Sequence, residues 1–184
     1  MKMSDNMNLT IEDLKVGNIY SNQDITETFK CSSQGGMRKS NKTNTLVLIV
    51  KHNNPLYDDQ WANNEILNYT GMGTSGDQNI DFSQNKTLAI SKKLGIKVHL
   101  FESYRKGSYC YLGEVELFDK PFTAYELDRD RKLRTVIKFP LKKLNTSANV
   151  IIDIDDIKNS EKKKYKVLSK LSLDEIQKRA SQID

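Results

Sequence analysis

Three aromatic residues, Tyr57, Trp61 and Tyr69, stand among carboxylates and amides in residues 57–85, YDDQWANNEILNYTGMGTSGDQNIDFSQN. Directly after Tyr69 the chain breaks into TGMGTSGDQ. Gly71, Gly73 and Gly76 fall within six positions there, a spacing that neither helix nor regular strand tolerates. Two aromatic faces with hydrogen-bonding side chains, set beside a glycine-bent backbone, can clasp a flat polar ring. A nucleobase is one candidate, because a base taken out of its stack needs faces to lie on and edge groups to bond. The alternative is a hairpin whose tyrosines are ordinary core.

Catalytic constellations are weaker. Glu114, Glu116 and Lys120, or Asp153, Asp155 and Asp156, have the residue types of a metal-dependent nuclease, but neither group implies a convergent polar pocket. The two histidines, His52 and His99, lack the setting of an HNH centre, and His99 reads as a structural histidine inside a strand. Cys31 and Cys110 are far apart and have no zinc-ligand spacing. There is no P-loop, nucleophile elbow or dinucleotide fingerprint. The chain reads as a binding domain and not an enzyme by itself, with no cofactor and no metal expected.

Length and charge set the outer bounds. A chain of 184 residues with 37% hydrophobic content can bury one proper core and carry an appendage. Its net charge of +5 is compatible with a polyanionic partner. The excess is concentrated late: lysines 158, 162, 163, 164, 166 and 170 follow an acidic knot at 153–156. No apolar run is long enough for a membrane span, and the start MKMSDNMNLT has no signal-peptide core, so the expected location is the cytoplasm. Two parts are expected: a folded domain over residues 1–157, then a basic linker and short helix over 158–184. Ser172 with Glu175 forms a capping box for that helix, which needs a partner surface or a following domain.

The elements that must position the aromatic stretch are mostly strands. Thr10 and Asp13 predict a capped turn, Val16 to Tyr20 a bend into a strand, and residues 24–29 a short helix. Residues 30–44 read as a loop in which Gly35-Gly36 allows a sharp reversal, with Met37 and Arg38 at its tip. An apolar wedge beside an arginine suits a loop that fills the gap left by an extruded base; the alternative is a solvated turn with a packed methionine. TLVLIV at 45–50 predicts a strand buried on both faces. Ser83 is expected to cap a helix reaching Leu94, with Gly95 as its stop. Further strands are expected at 96–101, 108–117 and 134–141, with 121–132 a charged loop between the last two. The sum is an α+β domain whose curved mixed sheet closes towards a barrel flanked by short helices.

Three motifs carry a family resemblance: GGMRKSNKTNTLVLIV at 35–50, YDD followed by YTGMG, and GDQ followed by Asn85, Lys86 and Leu88. Together they resemble the SRA (SET and RING finger associated) domain, of the type found in bacterial modification-dependent HNH restriction endonucleases. The resemblance implies an SRA/PUA-like β-barrel and a reader of duplex DNA that flips 5-methylcytosine or 5-hydroxymethylcytosine into an aromatic pocket. It implies that Tyr57 and Tyr69 sandwich the base, with Asp58, Asp59, Gln60, Thr70 and Gly71 completing the pocket. The family's acidic base-edge reader aligns with Gln60, while Asp59 has the better chemistry, since a carboxylate accepts from a cytosine amino group without a competing donor. Gly36, Met37, Arg38, Lys39, Ser40 and Lys42 are the expected DNA-contacting loop, and Ser75, Gln78 and Lys86 further phosphate contacts. Double-stranded DNA carrying a modified cytosine is the implied partner, with a C-terminal nuclease domain and a homodimer as further candidates. Two other classes stay open: a phosphorothioate-DNA reader that binds a backbone sulfur, and an RNA-binding member of the same barrel superfamily.

Overall fold

The run at 45–50 becomes the middle of a sheet, as its apolar, β-branched composition requires. In chain order the strands are β1 (Ile19–Tyr20), β2 (Met37–Ser40), β3 (Thr45–Lys51), β4 (Gln60–Trp61), β5 (Ile66–Thr70), β6 (Lys97–Arg105), β7 (Ser108–Leu117), β8 (Phe122–Leu127) and β9 (Leu133–Lys143). Two helices, α1 (Asn22–Phe29) and α2 (Gln84–Ala89), and a 3-10 turn at Ile11–Asp13 complete the list. The computed structural model describes residues 8–54 and 57–144. The expected linker and helix at 158–184, and the acidic knot before them, lie outside these residues.

The strands hydrogen-bond in the order β2-β3-β6-β7-β9-β5-β4, with β1 added to β7 and β8 to β9. Only β3 and β6 run parallel. Neither end of the path pairs with the other, so the expected closure into a barrel is corrected to an open, branched mixed sheet. Curvature comes from irregularities such as the register shift between Leu100 and Phe101, opposite Gly113, which sits at φ +93°.

Successive side chains of a strand point to opposite faces, and β3 uses both. Leu46, Leu48 and Val50 join one core with Leu67, Tyr69, Leu100, Leu112, Phe139 and Leu141. Val47 and Ile49 join the other with Ile25, Phe29, Phe101, Tyr109 and Tyr111. Tyr109 and Tyr111 thus share a face, as their spacing predicts.

Local departures from the expected elements have simple causes. Helix α1 begins earlier than expected because Ser21 caps it: its hydroxyl accepts from the Asp24 N–H at 3.0 Å, and the Asp24 carboxylate accepts from the Ser21 N–H at 2.8 Å. Helix α2 is shorter than expected; Ser83 takes φ 47° without a side-chain cap, and residues 90–95 are turns ending at Gly95, φ +64°. The segment 121–132 is a strand followed by a turn, because Phe122 to Leu127 pair along β9.

Candidate functional site

An open pocket of about 240 Å³ lies where three stretches meet. The β2–β3 side contributes Gly35, Gly36, Met37, Ile49 and Lys51; the lip contributes Asn54, Tyr57 and Asp59; the end of β5 contributes Tyr69, Thr70, Gly71 and Met72. The structure therefore brings together Tyr57, Asp59, Tyr69, Thr70 and Gly71 with Gly36 and Met37. Asp58 and Gln60 are not brought into this lining; the Gln60 amide donates to the Asp58 carboxylate at 2.7 Å, and Gln60 is exposed.

Tyr69 is a fixed wall. It is 3% exposed, and its hydroxyl donates to the Gly36 carbonyl at 2.7 Å. Burial pushes its phenol well above the ordinary range, so it stays a neutral donor. Tyr57, on the lip, is only half-buried. A side chain on Gly36 would meet the Tyr69 hydroxyl at 3.1 Å and press on the hydrogen bond between the two residues.

Asp59 is the acid of the pocket. Thr70 donates its backbone N–H to Oδ1 at 2.6 Å. Burial raises the Asp59 carboxyl to about 6, against the lowering effects of the Thr70 hydrogen bond and the Lys138 charge. Lys138, from β9, lies behind it. Its ammonium donates to the Asp58 carbonyl at 2.8 Å, to the Thr70 hydroxyl at 2.7 Å and to the Glu126 carboxylate, and both ends of the ion pair are buried. Sequence reasoning missed Lys138 and Glu126. The available signal was a lysine inside the apolar strand RTVIKFPL, flanked by Ile137 and Phe139.

The glycine-bent loop after β5 is held by side chains. Asn85, fully buried, accepts the Met72 N–H at 2.6 Å and donates to the carbonyls of Met72 and Asn79, both at 3.0 Å. Gln78 donates to the Gly71 and Gly73 carbonyls at 2.6 and 3.2 Å and accepts the Ile137 N–H at 2.9 Å. Arg134 donates to the carbonyls of Gly73 and Gly76 at 2.5 and 3.3 Å. Gln78, expected as a phosphate contact, is placed here as an internal brace with both its amide atoms engaged. A side chain on Gly71 would meet the Asn85 Oδ1 at 2.8 Å, so glycine lets the brace reach the backbone.

The residues expected as a DNA-contacting loop are placed differently from the expected turn. Met37 and Arg38 do not cap a turn; they lie in β2, paired with Leu48 and Val47, and are 5% and 2% exposed. The Arg38 guanidinium donates to the Gly35 carbonyl at 2.8 Å and to Asn22 Oδ1 at 2.7 Å, an internal brace between β2 and α1. Ser40 is likewise buried and donates to the Lys30 carbonyl at 3.0 Å. Lys39 is half-buried, whereas Lys42, Ser75 and Lys86 are exposed. The physical reason is the neighbour: β3 pairs with β6 on one side, and β2 takes up its other, apolar side as the outer strand.

Two histidines sit elsewhere. His52 stacks on Tyr104 at 4.1 Å and hydrogen-bonds Glu102, which also accepts from the Trp61 indole at 2.9 Å and the Tyr104 hydroxyl at 3.2 Å. This cluster anchors the root of the lip. Burial lowers His99 to about 4; its Nδ1 meets the Tyr111 hydroxyl at 2.8 Å, and its Nε2 has no partner among the described residues. No group of three metal-ligating side chains occurs among the described residues, nor any helix long and apolar enough to cross a membrane.

The family model for the ScoMcrA-like SRA domain matches residues 16–153. The chain belongs to that family. No curated protein matches it. Among solved structures, the SRA domain resembles the sulfur-binding and SRA domains of ScoMcrA complexed with phosphorothioated DNA, with a TM-score of 0.59 and 15% identity over 80% of this chain and 45% of that one. It also resembles KRYPTONITE in complex with mCHG DNA and SAH, with a TM-score of 0.56 and 16% identity over 77% and 34%. The SUVH5 SRA complex with methylated CHH DNA gives 0.56 and 20% identity over 76% and 94%. The chain thus spans less than half the length of the ScoMcrA and KRYPTONITE chains, and nearly all of the SUVH5 one. At these identities the likeness concerns the fold.

Proposed function

We propose that this SRA domain is a modified-DNA reader that binds duplex DNA and takes a flipped 5-methylcytosine or 5-hydroxymethylcytosine into the pocket between Tyr57 and Tyr69. The observation that carries the reading is the meeting of Tyr57, Tyr69 and Asp59 around one open cavity. Tyr69, immobilised through its hydroxyl, offers a rigid stacking face, and the more exposed Tyr57 can close from the lip. An ionised Asp59 accepts from the cytosine amino group, which favours Asp59 over Gln60 as the edge reader. Thr70 and Gly71 supply neighbouring backbone. Lys42, Ser75 and Lys86 remain exposed donors for phosphates, whereas the buried Met37 and Arg38 support the reading only by shaping the pocket wall.

In this reading the domain ends near residue 157, acts in the cytoplasm, does not cut DNA alone, and is the recognition module of a modification-dependent restriction endonuclease with an HNH-type effector. The test is a binding panel at one stated salt concentration: methylated, hydroxymethylated, phosphorothioated and plain duplexes, and RNA. Methylated or hydroxymethylated duplex should bind tightest, with a 2-aminopurine signal on flipping. Tyr69→Ala should cost about 1–3 kcal/mol on those duplexes alone, the value of one base–aromatic stack. Preference for the phosphorothioated duplex without a flipping signal would sink base reading in favour of backbone-sulfur recognition.

A further inference from the structure

Behind the pocket, one ammonium ties three segments together. Lys138 on β9 donates to the Asp58 carbonyl on the lip, to the Thr70 hydroxyl at the end of β5, and to Glu126 on β8. All three of its protons are engaged, so its position is set from three directions. The Thr70 hydroxyl accepts from Lys138 at 2.7 Å. Thr70 gives its backbone N–H to the Asp59 carboxyl. Thr70 therefore joins the Glu126–Lys138 pair, held at its hydroxyl, to the acid that lines the pocket, held at its backbone N–H.

A buried ion pair is poor evidence of a stabilising role, since apolar replacements of similar volume are often neutral or better. Its placement one residue from the pocket acid gives it another use. We propose that Lys138 and Glu126 form a positioning pair for Asp59, holding it against Thr70 and setting how strongly the pocket prefers a modified cytosine. The proposal rests on the base-reading function above and adds the residues that govern its edge reader.

The groups facing Asp59 are Lys138 from β9, Glu126 from β8, Tyr69 from β5, and Tyr57 and Asp58 from the lip, with Lys51 of β3 across the cavity. Lys138 favours the ionised acid and Glu126 opposes it. The two partners therefore act on the acid in opposite directions, and the affinity ratio separates a positioning role from a mere core brace.

The experiment follows the Asp59 carboxyl by ¹³C NMR against pH in the full chain, alongside the ratio of affinities for methylated and plain duplex above and below the transition. Lys138→Met should move the Asp59 transition upward and cut the methylated-to-plain ratio at neutral pH about tenfold. Glu126→Gln should move the transition downward and keep the ratio. The double variant Lys138→Met with Glu126→Leu keeps the site free of an orphaned charge should either single variant fail to fold; it should fold and show a reduced ratio. Transitions that do not move, or move in the same direction in both single variants, overturn the pair's role. So does a double variant with the wild-type transition and ratio. Equal binding of both duplexes by the wild type, with the opposite NMR shifts intact, overturns base reading itself and the pair's part in it.

Discussion

Two glycine-bearing stretches face each other across the pocket, and they are held in opposite ways. Gly35-Gly36 leads into β2, whose backbone pairs with β3 from Met37 to Ser40. Gly71, Gly73 and Gly76 belong to a loop fixed by the side chains of Asn85, Gln78 and Arg134. The first wall is a product of the sheet, and its side chains turn inward to pack. The second is irregular backbone: beyond the Gly71 and Gln78 N–H groups, which donate to β9, the polar groups at Gly71, Met72 and Gly73 are answered by side chains. A ladder tolerates the loss of one side chain better than a clamp does.

The sharpest break of the second wall is Asn85→Ala. It strips two carbonyls and one N–H of their buried partner and should cost about 3 kcal/mol in urea unfolding, the upper range for a buried hydrogen-bonding group. Faster amide exchange at Met72 should accompany it.

Asp59→Asn sharpens the comparison at the foot of the same wall. The Asp59 carboxyl is raised from 3.8 to about 6, so its contribution to stability is fully present below pH 3.8 and is lost as pH rises through 6. An amide can still accept from Thr70 without the cost of ionising. The variant should therefore be more stable than wild type by about 2–3 kcal/mol above pH 6, with the gain vanishing towards pH 4. Thermal unfolding across that range checks it, and an absent pH dependence would show Asp59 to be solvated.

On the first wall, Arg38→Ala should cost about 2 kcal/mol, because the Gly35 carbonyl and Asn22 lose a buried charged donor. A change near zero in chemical denaturation would return Arg38 to the surface. Smallest of all, Lys42→Ala and Lys86→Ala should leave stability within about 0.5 kcal/mol. Each should lower the salt dependence of DNA binding by roughly one phosphate contact.

The same contrast explains what was legible in the sequence. TLVLIV announced a two-sided strand because burial leaves a direct mark on composition. Tyr57 and Tyr69 could be singled out because aromatic and glycine spacing marks an unusual backbone, and the family resemblance added Asp59, Thr70 and Gly71 to them. Met37 and Arg38 were misplaced because a polar run after two glycines looks like a turn; only the long-range Asn22 contact and the β3 edge make it a strand. Gln78 was taken for a surface donor because the carbonyls it serves belong to its own loop, which sequence cannot fold. Lys138 and Glu126 lie twelve residues apart on paired strands, and their register follows from a hairpin that the charges of 121–132 disguised. Barrel closure failed as an expectation because strand composition does not specify which edges meet.

The parallel pairing of β3 with β6 has a consequence for synthesis. Parallel neighbours need a long crossover, and here that crossover, residues 52–96, carries the lip, β4, β5, the glycine loop and α2. Its strand β5, paired with β4 inside the crossover, reaches the rest of the sheet through β9, with Thr70 opposite Lys138. As a ribosome extends the chain, the central β3–β6–β7 sheet is available some twenty residues before that partner is made. The β4–β5 pair and the loop after it must wait undocked until β9 emerges. The candidate pocket is then completed late in folding, and a nascent chain cut short before β9 would lack both the strand that seats β5 and the Ile137, Phe139 and Leu141 share of the core.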